Sequence, residues 1–187
     1  MLYIMRHGKT EWNALHKLQG RTDIPLNEDG RAMAKAAHDE YMDVNIDVCY
    51  CSPLVRARET AEIVLAGRNV PIIPDDRLKE MCFGQFEGMQ DIFKTPKCPI
   101  NVVFKHPEDY TESLGGAESF DDLFKRTGEF LNEVALPLVN DGKDVLIVGH
   151  GAMNLSIISQ IRKLPRKDFW SPGLKQCKLE CLIYTDV

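Results

Sequence analysis

Two short apolar runs constrain this chain more than anything else in it. They are "LYIM" at 2–5 and "VLIV" at 145–148. Neither alternates apolar with polar residues. A strand with one wet face alternates, whereas a strand covered on both faces does not. Both runs therefore read as central strands of a sheet sandwiched between other layers. Each also ends in the same way, in "YIMRHG" at 3–8 and "LIVGHG" at 146–151. A histidine follows each strand at its C-terminal end, where open α/β sheets bind ligands.

Further strands read at "IDVCYC" (46–51), "VPIIP" (70–74) and "KLECLIYTD" (178–186). Helical segments alternate with them. "PLNEDGRAMAKAAHDEYM" is alanine-rich, with Asn27 as N-cap. Ser52 followed by Pro53 predicts a cap and first-turn proline, with a helix running to about Ala66 and stopping near Gly67. Ser119 to Asp122 predicts a capped helix start, continuing to about Leu136. "AMNLSIISQI" is a helix after the "VLIV" strand. Residues 7–25 read as a polar loop with a short helical piece. Residues 84–116 carry Pro96, Pro99, Pro107, Gly115 and Gly116, and read as an irregular lid with helical pieces. The expected fold class is α/β, a three-layer α/β/α sandwich on a mostly parallel sheet. The 187 residues are expected to form a single domain, 1–187.

Charge narrows the partners. A formal net charge of −5 disfavours non-specific binding to nucleic acid or anionic membrane, so any positive field is local. The clean apolar runs are far shorter than the roughly 20 residues that a bilayer span needs. Arg6, His7 and Lys9 arrive too early for a signal core, so the expected location is cytoplasmic. The six cysteines, Cys49, Cys51, Cys82, Cys98, Cys177 and Cys181, form no CxxC pair. They read as small hydrophobes in a reducing compartment, not as zinc ligands.

The strand ends carry the chemistry. A guanidinium grips phosphate oxygens with a planar fork. An imidazole beside it is disfavoured as a cation and stays neutral. Gly8 lets the backbone bend so that Arg6 and His7 reach one site. Such an imidazole is a nucleophile for phosphorus. Arg56, early in the helix after a strand, is a second phosphate-binding guanidinium. His150 is a donor to the phosphoryl oxygens, with Gly151 beside it, and Asn13 adds a neutral donor. Glu80, after the third strand, is placed as the proton donor, with Glu87 as its rival. His16, His38 and His106 carry no such context.

These segments together resemble the histidine phosphatase superfamily, in its phosphoglycerate-mutase-like branch. "RHGKTEWN" is similar to its nucleophile motif and "LQGRTDIPLNEDGRAMA" to the segment that follows. "CSPLVRARETAEI" resembles the second-arginine helix, "LKEMCFGQFEG" the acid loop and "VGHG" the second-histidine motif. "GGAESFDDLFKR" resembles a family Gly-Gly-Glu-Ser helix start, with Ala117 as an extra residue. The resemblance implies His7 as the phosphorylated nucleophile, Glu80 as proton donor, and a phosphate pocket of Arg6, Arg56 and His150. It places Asn13 and the backbone near Gln19 and Gly20 in the pocket wall. It implies no metal and no cofactor, and a small phosphomonoester as substrate.

The superfamily holds both mutases and phosphatases. Mutases resemble "ERHYG" after the acid, where this chain has "EMCFG" at 80–84. Met81, Cys82 and Phe83 offer no polar grip, which favours a phosphatase. The acid loop is similar to that of α-ribazole phosphatases of cobalamin synthesis. That activity, a 2,3-bisphosphoglycerate-dependent mutase and a non-catalytic phospholigand-binding module remain the alternatives. Specificity is expected in the lid, where Phe83, Phe86, Phe93, Phe104 and Tyr110 either stack on a leaving group or pack the lid. Lys94, Lys97 and Lys105 are expected to be solvated. The sequence leaves Trp12, Trp170 and the oligomeric state open.

Overall fold

A computed structural model describes residues 1–95 and 97–183. Pro96 and residues 184–186 of the last expected strand lie outside the described residues. The strands are β1 (Leu2–Arg6), β2 (Val48–Cys51), β3 (Ile72–Pro74), β4 (Val145–Gly149) and β5 (Leu179–Ile183). Their order in the sheet is β3-β2-β4-β1-β5. The first four run parallel, and β5 pairs antiparallel with β1. The two unalternating runs are thus the central neighbours β1 and β4, as their composition requires. Arg6 registers with Gly149, and the amide of His7 donates to the Gly149 carbonyl at 2.9 Å. His7 and His150 therefore leave the sheet side by side.

Helices cover both faces. α2 (Glu28–Tyr41) and α3 (Val55–Val64) pack on one, against Met5, Cys49, Cys51, Leu146 and Val148. α5 (Phe120–Phe130), α6 (Leu136–Asn140) and α7 (Gly151–Arg162) cover the other, against Leu2, Ile4, Val145 and Ile147. Alternate strand residues feed the two cores, which is the three-layer α/β/α sandwich. Two short helices, α1 (Glu11–Ala14) and α4 (Asn101–Lys105), lie in the connecting segments. No helix among the described residues is long and apolar enough to cross a membrane.

Asn27 caps α2 as expected, its side chain accepting from the Gly30 amide at 2.9 Å. The start of α3 differs. The helix begins at Val55 and not at Pro53, and Ser52 is not its cap. The Val55 amide is instead satisfied from afar by the Asp23 carboxylate, at 2.8 Å. A side chain 32 residues upstream supplies the cap, which no local pattern announces. α3 ends at Val64, two residues before the expected Ala66. Ser119 caps α5, accepting from the Asp122 amide at 3.1 Å. That helix does not stop near Leu136. It widens into a π turn, Leu131–Ala135, and continues as α6 to Asn140. Pro137 has no N–H for the preceding turn and crowds it, so widening accommodates the ring.

The lid, 84–116, is built of 3₁₀ turns and α4. Ile92, Cys98, Ile100, Val103 and Tyr110 anchor it in the core. All six cysteines are free, and four are buried. Burial pushes the Cys51 and Cys177 thiols up to about 11, which suits inert packing groups.

α2 presses its Gly30 against the loop that follows His7. A Cβ on Gly30 would lie 2.0 Å from the Lys9 carbonyl oxygen, and one on Gly8 would lie 2.6 Å from the Gly30 oxygen. Both obstacles are backbone, so a methyl group must displace the loop. Gly30→Ala is expected to cost about 1–3 kcal/mol, as overpacking does. A thermal melt that falls by several degrees would bear this out, and an unchanged melt would refute the close contact.

Candidate active site

The C-terminal ends of β1 and β4 open into a cavity of about 300 Å³. Arg6, His7, Asn13, Gln19, Gly20, Arg56, Glu80 and Gly151 line it. His150 sits directly behind, fully buried, its ring edge-on to His7 with centroids 5.1 Å apart. Every residue singled out from the sequence therefore gathers at one place, although His150 is shielded from the open cavity.

Each charged group is fixed by backbone. Arg56 is 0 % exposed, with one terminal nitrogen donating to the Thr22 carbonyl at 2.9 Å and the other to Gly20 at 2.7 Å. Arg6 donates to the Leu174 carbonyl at 3.3 Å. Neither arginine enters an ion pair among the described residues. The Nε of each, and both ring nitrogens of His150, are buried and find no hydrogen-bond partner among those residues. A neutral imidazole has one N–H, so these atoms amount to three donors, and donors in this density, unanswered by any acceptor among the described residues, suit an oxyanion.

The imidazoles are neutral. Burial first, then the Arg56 and Arg6 charges, hold His7 well below the usual histidine range. Burial, Arg56 and His7 do the same for His150. The His7 Nδ1 lies 2.6 Å from the Gly8 carbonyl oxygen. A carbonyl only accepts, so Nδ1 carries the proton and Nε2 keeps a lone pair. Burial pushes Arg56 down to about 10, with the Glu80 charge opposing, so it stays cationic at neutral pH.

Glu80 caps α7 from a distant loop. Its Oε1 accepts from the Met153 and Met81 amides, each at 2.9 Å, while Oε2 accepts only from Ala152, at 3.3 Å. Oε2 lies beside Gly151, where a Cβ would stand 3.6 Å from it and 3.9 Å from the Arg6 guanidinium. Arg21 steadies this loop by donating to the Glu80 carbonyl at 3.2 Å. Glu118 accepts from the Cys82 amide at 3.2 Å and pairs with Arg126 at 2.7 Å.

Glu87, the rival acid, has a different task. Its carboxylate accepts from the amides of Arg21, Thr22 and Phe83 at 2.9–3.0 Å, and from the Thr22 hydroxyl at 2.5 Å. It shapes the loop that presents Gly20 to Arg56. Gly20 has φ +58° and would place a Cβ 2.1 Å from Glu87. The Asn13 Oδ1 accepts from Thr10 and Gln176, leaving its amide nitrogen unbonded among the described residues. Thr10 also donates to Gln19 at 2.8 Å.

Sequence reasoning missed Lys17, Leu18, Ala152, Leu155, Gly173 and Leu174 in the cavity wall. Only Leu18, at the start of "LQGRTDIPLNEDGRAMA", lies in a quoted motif, and the Leu174 carbonyl that holds Arg6 belongs to a distant loop. Phe83, Phe104 and Trp170 also line the cavity, whereas Phe86 and Tyr110 are packed in the core. Phe86 and Tyr110 thus pack the lid, while Phe83 and Phe104 stand at the cavity wall. Met81 is fully buried and cannot touch a ligand.

The chain belongs to the histidine phosphatase superfamily (branch 1), whose family model matches residues 2–187. It is similar to "Uncharacterized phosphatase PhoE" of Bacillus subtilis, 35% identical over 84% of this chain and 75% of that one. It is also similar to a 2,3-bisphosphoglycerate-dependent phosphoglycerate mutase of Gloeobacter violaceus, 28% identical over 95% of this chain and 82% of the relative. Among solved structures, Bacillus stearothermophilus YhfR superposes with a TM-score of 0.85 at 32% identity, covering 95% of this chain and 88% of YhfR.

Two neutral buried histidines make stability depend on pH. Their pKa values are lower folded than unfolded, so below the unfolded value of about 6.5 the unfolded chain binds more protons. Stability is complete above that pH and falls as pH drops, by about 1.4 kcal/mol per pH unit for each histidine. Urea denaturation of the ligand-free protein from pH 7 to 5.5 is expected to show this loss, with a shallower slope in His150→Gln. A flat profile would contradict neutral burial.

Proposed function

We propose that this protein is a metal-independent phosphomonoester phosphatase working through a phosphohistidine. The observation that carries the reading is the ring of buried, unanswered donors on Arg6, Arg56 and His150 around a histidine whose free lone pair is Nε2. His7 Nε2 attacks phosphorus, the P–N bond forms and the P–O bond to the leaving group breaks. Glu80 Oε2 gives its proton to the departing oxygen. Water then attacks the phosphohistidine, Glu80 takes the water's proton, and phosphate leaves as the P–N bond breaks. The Gly8 carbonyl holds Nδ1–H throughout and aims the ring. Two guanidiniums supply the charge neutralisation that a metal ion provides elsewhere. The grouping His106, Glu108 and Asp109 is exposed, and none of the three lines the cavity.

Hydrolysis is favoured over isomerisation because of the acid loop. Of Met81, Cys82 and Phe83, only Phe83 faces the cavity, and it offers a ring. The acid loop itself therefore offers no polar side chain to hold a second polar group while a phosphoenzyme waits. An assay with 3-phosphoglycerate separates the readings, since a phosphatase releases inorganic phosphate and a mutase isomerises the substrate. A panel including α-ribazole phosphate tests that particular activity, and absence of turnover on every phosphomonoester would favour a binding module.

His7→Ala is expected to abolish both turnover and an acid-labile phosphoryl label in quenched reactions, while chelators leave the wild type unchanged. Retained turnover would reassign the nucleophile, and dependence on added Mg²⁺ would remove the metal-independent scheme. Glu80→Gln is expected to slow alkyl phosphates by about 10²–10⁴-fold and p-nitrophenyl phosphate far less, since that leaving group needs no proton. Equal losses would place the acid elsewhere.

A further inference from the structure

A second hollow, of about 370 Å³, abuts the first along Asn13, Lys17, Leu18 and Phe104. Its other walls are His16, Asp91, Ile92, Phe93 and Lys94. The catalytic scheme uses none of these five. Three features distinguish this hollow from ordinary surface.

The first is an aromatic side chain held in water. Phe93 is 59 % exposed, with its ring edge-on to Phe104 at 5.2 Å. Phe104 in turn stacks toward Phe83 and Trp170 in the catalytic cavity, at 5.5 and 5.1 Å. A ladder of rings therefore runs from the reacting centre into the second hollow. An exposed aromatic beside a pocket is a site for an apolar ligand surface.

The second is charge. Lys94 is paired with Asp91 at 3.1 Å, so that pair contributes little net field. Lys17 has no carboxylate partner among the described residues. It lies over the Trp12 ring at 5.7 Å and lines both hollows. A cation at that junction meets any ligand passing from one to the other.

The third is the backbone. His16 and Asp91 are left-handed, at φ 53° and 51°, and both line this hollow. The Asp91 amide donates to the His16 carbonyl at 3.0 Å, and Lys17 pairs with Gln90 across the same small ribbon. Non-glycine residues held in this conformation are maintained by their surroundings, and such positions concentrate at binding sites.

Resting on the phosphatase reading above, we propose that the second hollow is the leaving-group subsite, and that Lys17 reads a second anionic group on the substrate. The substrate class is then a phosphomonoester with an apolar, ring-bearing body and a second acid, carboxylate or phosphate, on the part of that body nearest the phosphoryl group. The phosphoryl group sits among Arg6, His7 and Arg56, the second acid pairs with Lys17 at the junction, and the rest of the body lies along Phe104 and Phe93. No covalent step is added.

The test compares kcat/KM for phenyl phosphate, biphenyl-4-yl phosphate, its 2-carboxy derivative and its 2-aminomethyl derivative, the substituent lying on the ring that bears the phosphate. The carboxy compound is expected to exceed the neutral biphenyl by about tenfold, the worth of one partly exposed charge-assisted contact. In Lys17→Met that ratio is expected to fall toward one, and in Lys17→Glu to invert in favour of the aminomethyl compound. Phe93→Ala is expected to lower the biphenyl-to-phenyl ratio while leaving the carboxy-to-neutral ratio unchanged. A merely structural Lys17 would lower all four substrates together and move no ratio, which would overturn the proposal. So would a wild type that treats carboxy and neutral compounds alike. If no compound releases phosphate, phenyl phosphate included, the phosphatase reading itself fails and this one with it.

Discussion

Everything in this molecule is arranged around two guanidinium groups, Arg56 buried and Arg6 partly so, that form no ion pair among the described residues although the Glu80 charge acts on both. Removing a charge from water costs several kcal/mol even after relaxation. Arg56 recovers part of that through the carbonyls of Gly20 and Thr22, and Arg6 through the carbonyl of Leu174. Carbonyl dipoles orient a guanidinium but do not cancel its charge. The residual positive field disfavours protonation of His7 and His150, as burial does. On the reading proposed above, a doubly charged phosphoryl group is what answers these donors.

The fold supplies the rigidity this requires. β1 and β4 are hydrogen-bonded neighbours, so the two histidines emerge in fixed relation. Asn154 ties the start of α7 to the Met5 carbonyl at 3.0 Å, one residue before Arg6. Glycine at 8 and 30 lets α2 meet the nucleophile loop backbone to backbone. Glu87 gathers three amides and so fixes the turn whose carbonyls hold Arg56. Glu118, itself buried against Arg126, fixes the loop that carries Glu80. The carboxylates around the site mostly shape loops, and of the two candidate acids Glu80 is the one that lines the cavity.

At the mouth the physics changes from charge to ring surface. The lid is not a loose flap, since six of its apolar side chains, Phe86, Ile92, Cys98, Ile100, Val103 and Tyr110, enter the main core. What it presents to the cavity is a graded series of rings, buried at Phe83 and open to water at Phe93. On the proposed reading, such a site holds the phosphoryl end by fixed dipoles and reads the remainder by shape.

The sequence alone determined the sheet's centre, its layers and which charged and imidazole side chains gather at the sheet's C-terminal edge. "LYIM" and "VLIV" had to be covered on both faces, and each delivered a histidine at the same edge. Arg6, Arg56 and Glu80 were legible because their chemistry is rare at strand and helix starts in that combination. Only the tertiary structure decided the supporting contacts. The Asp23 cap of α3, the Leu174 carbonyl on Arg6 and the Gly30 contact under Gly8 join segments far apart in the chain, and backbone groups carry no residue identity to read. It also decided between Glu80 and Glu87, two carboxylates seven residues apart with the same chemistry. One faces the cavity beside Gly151, and the other spends its oxygens on loop amides. Local sequence specifies which groups are present, and the packing of distant segments fixes which of their atoms remain unbonded.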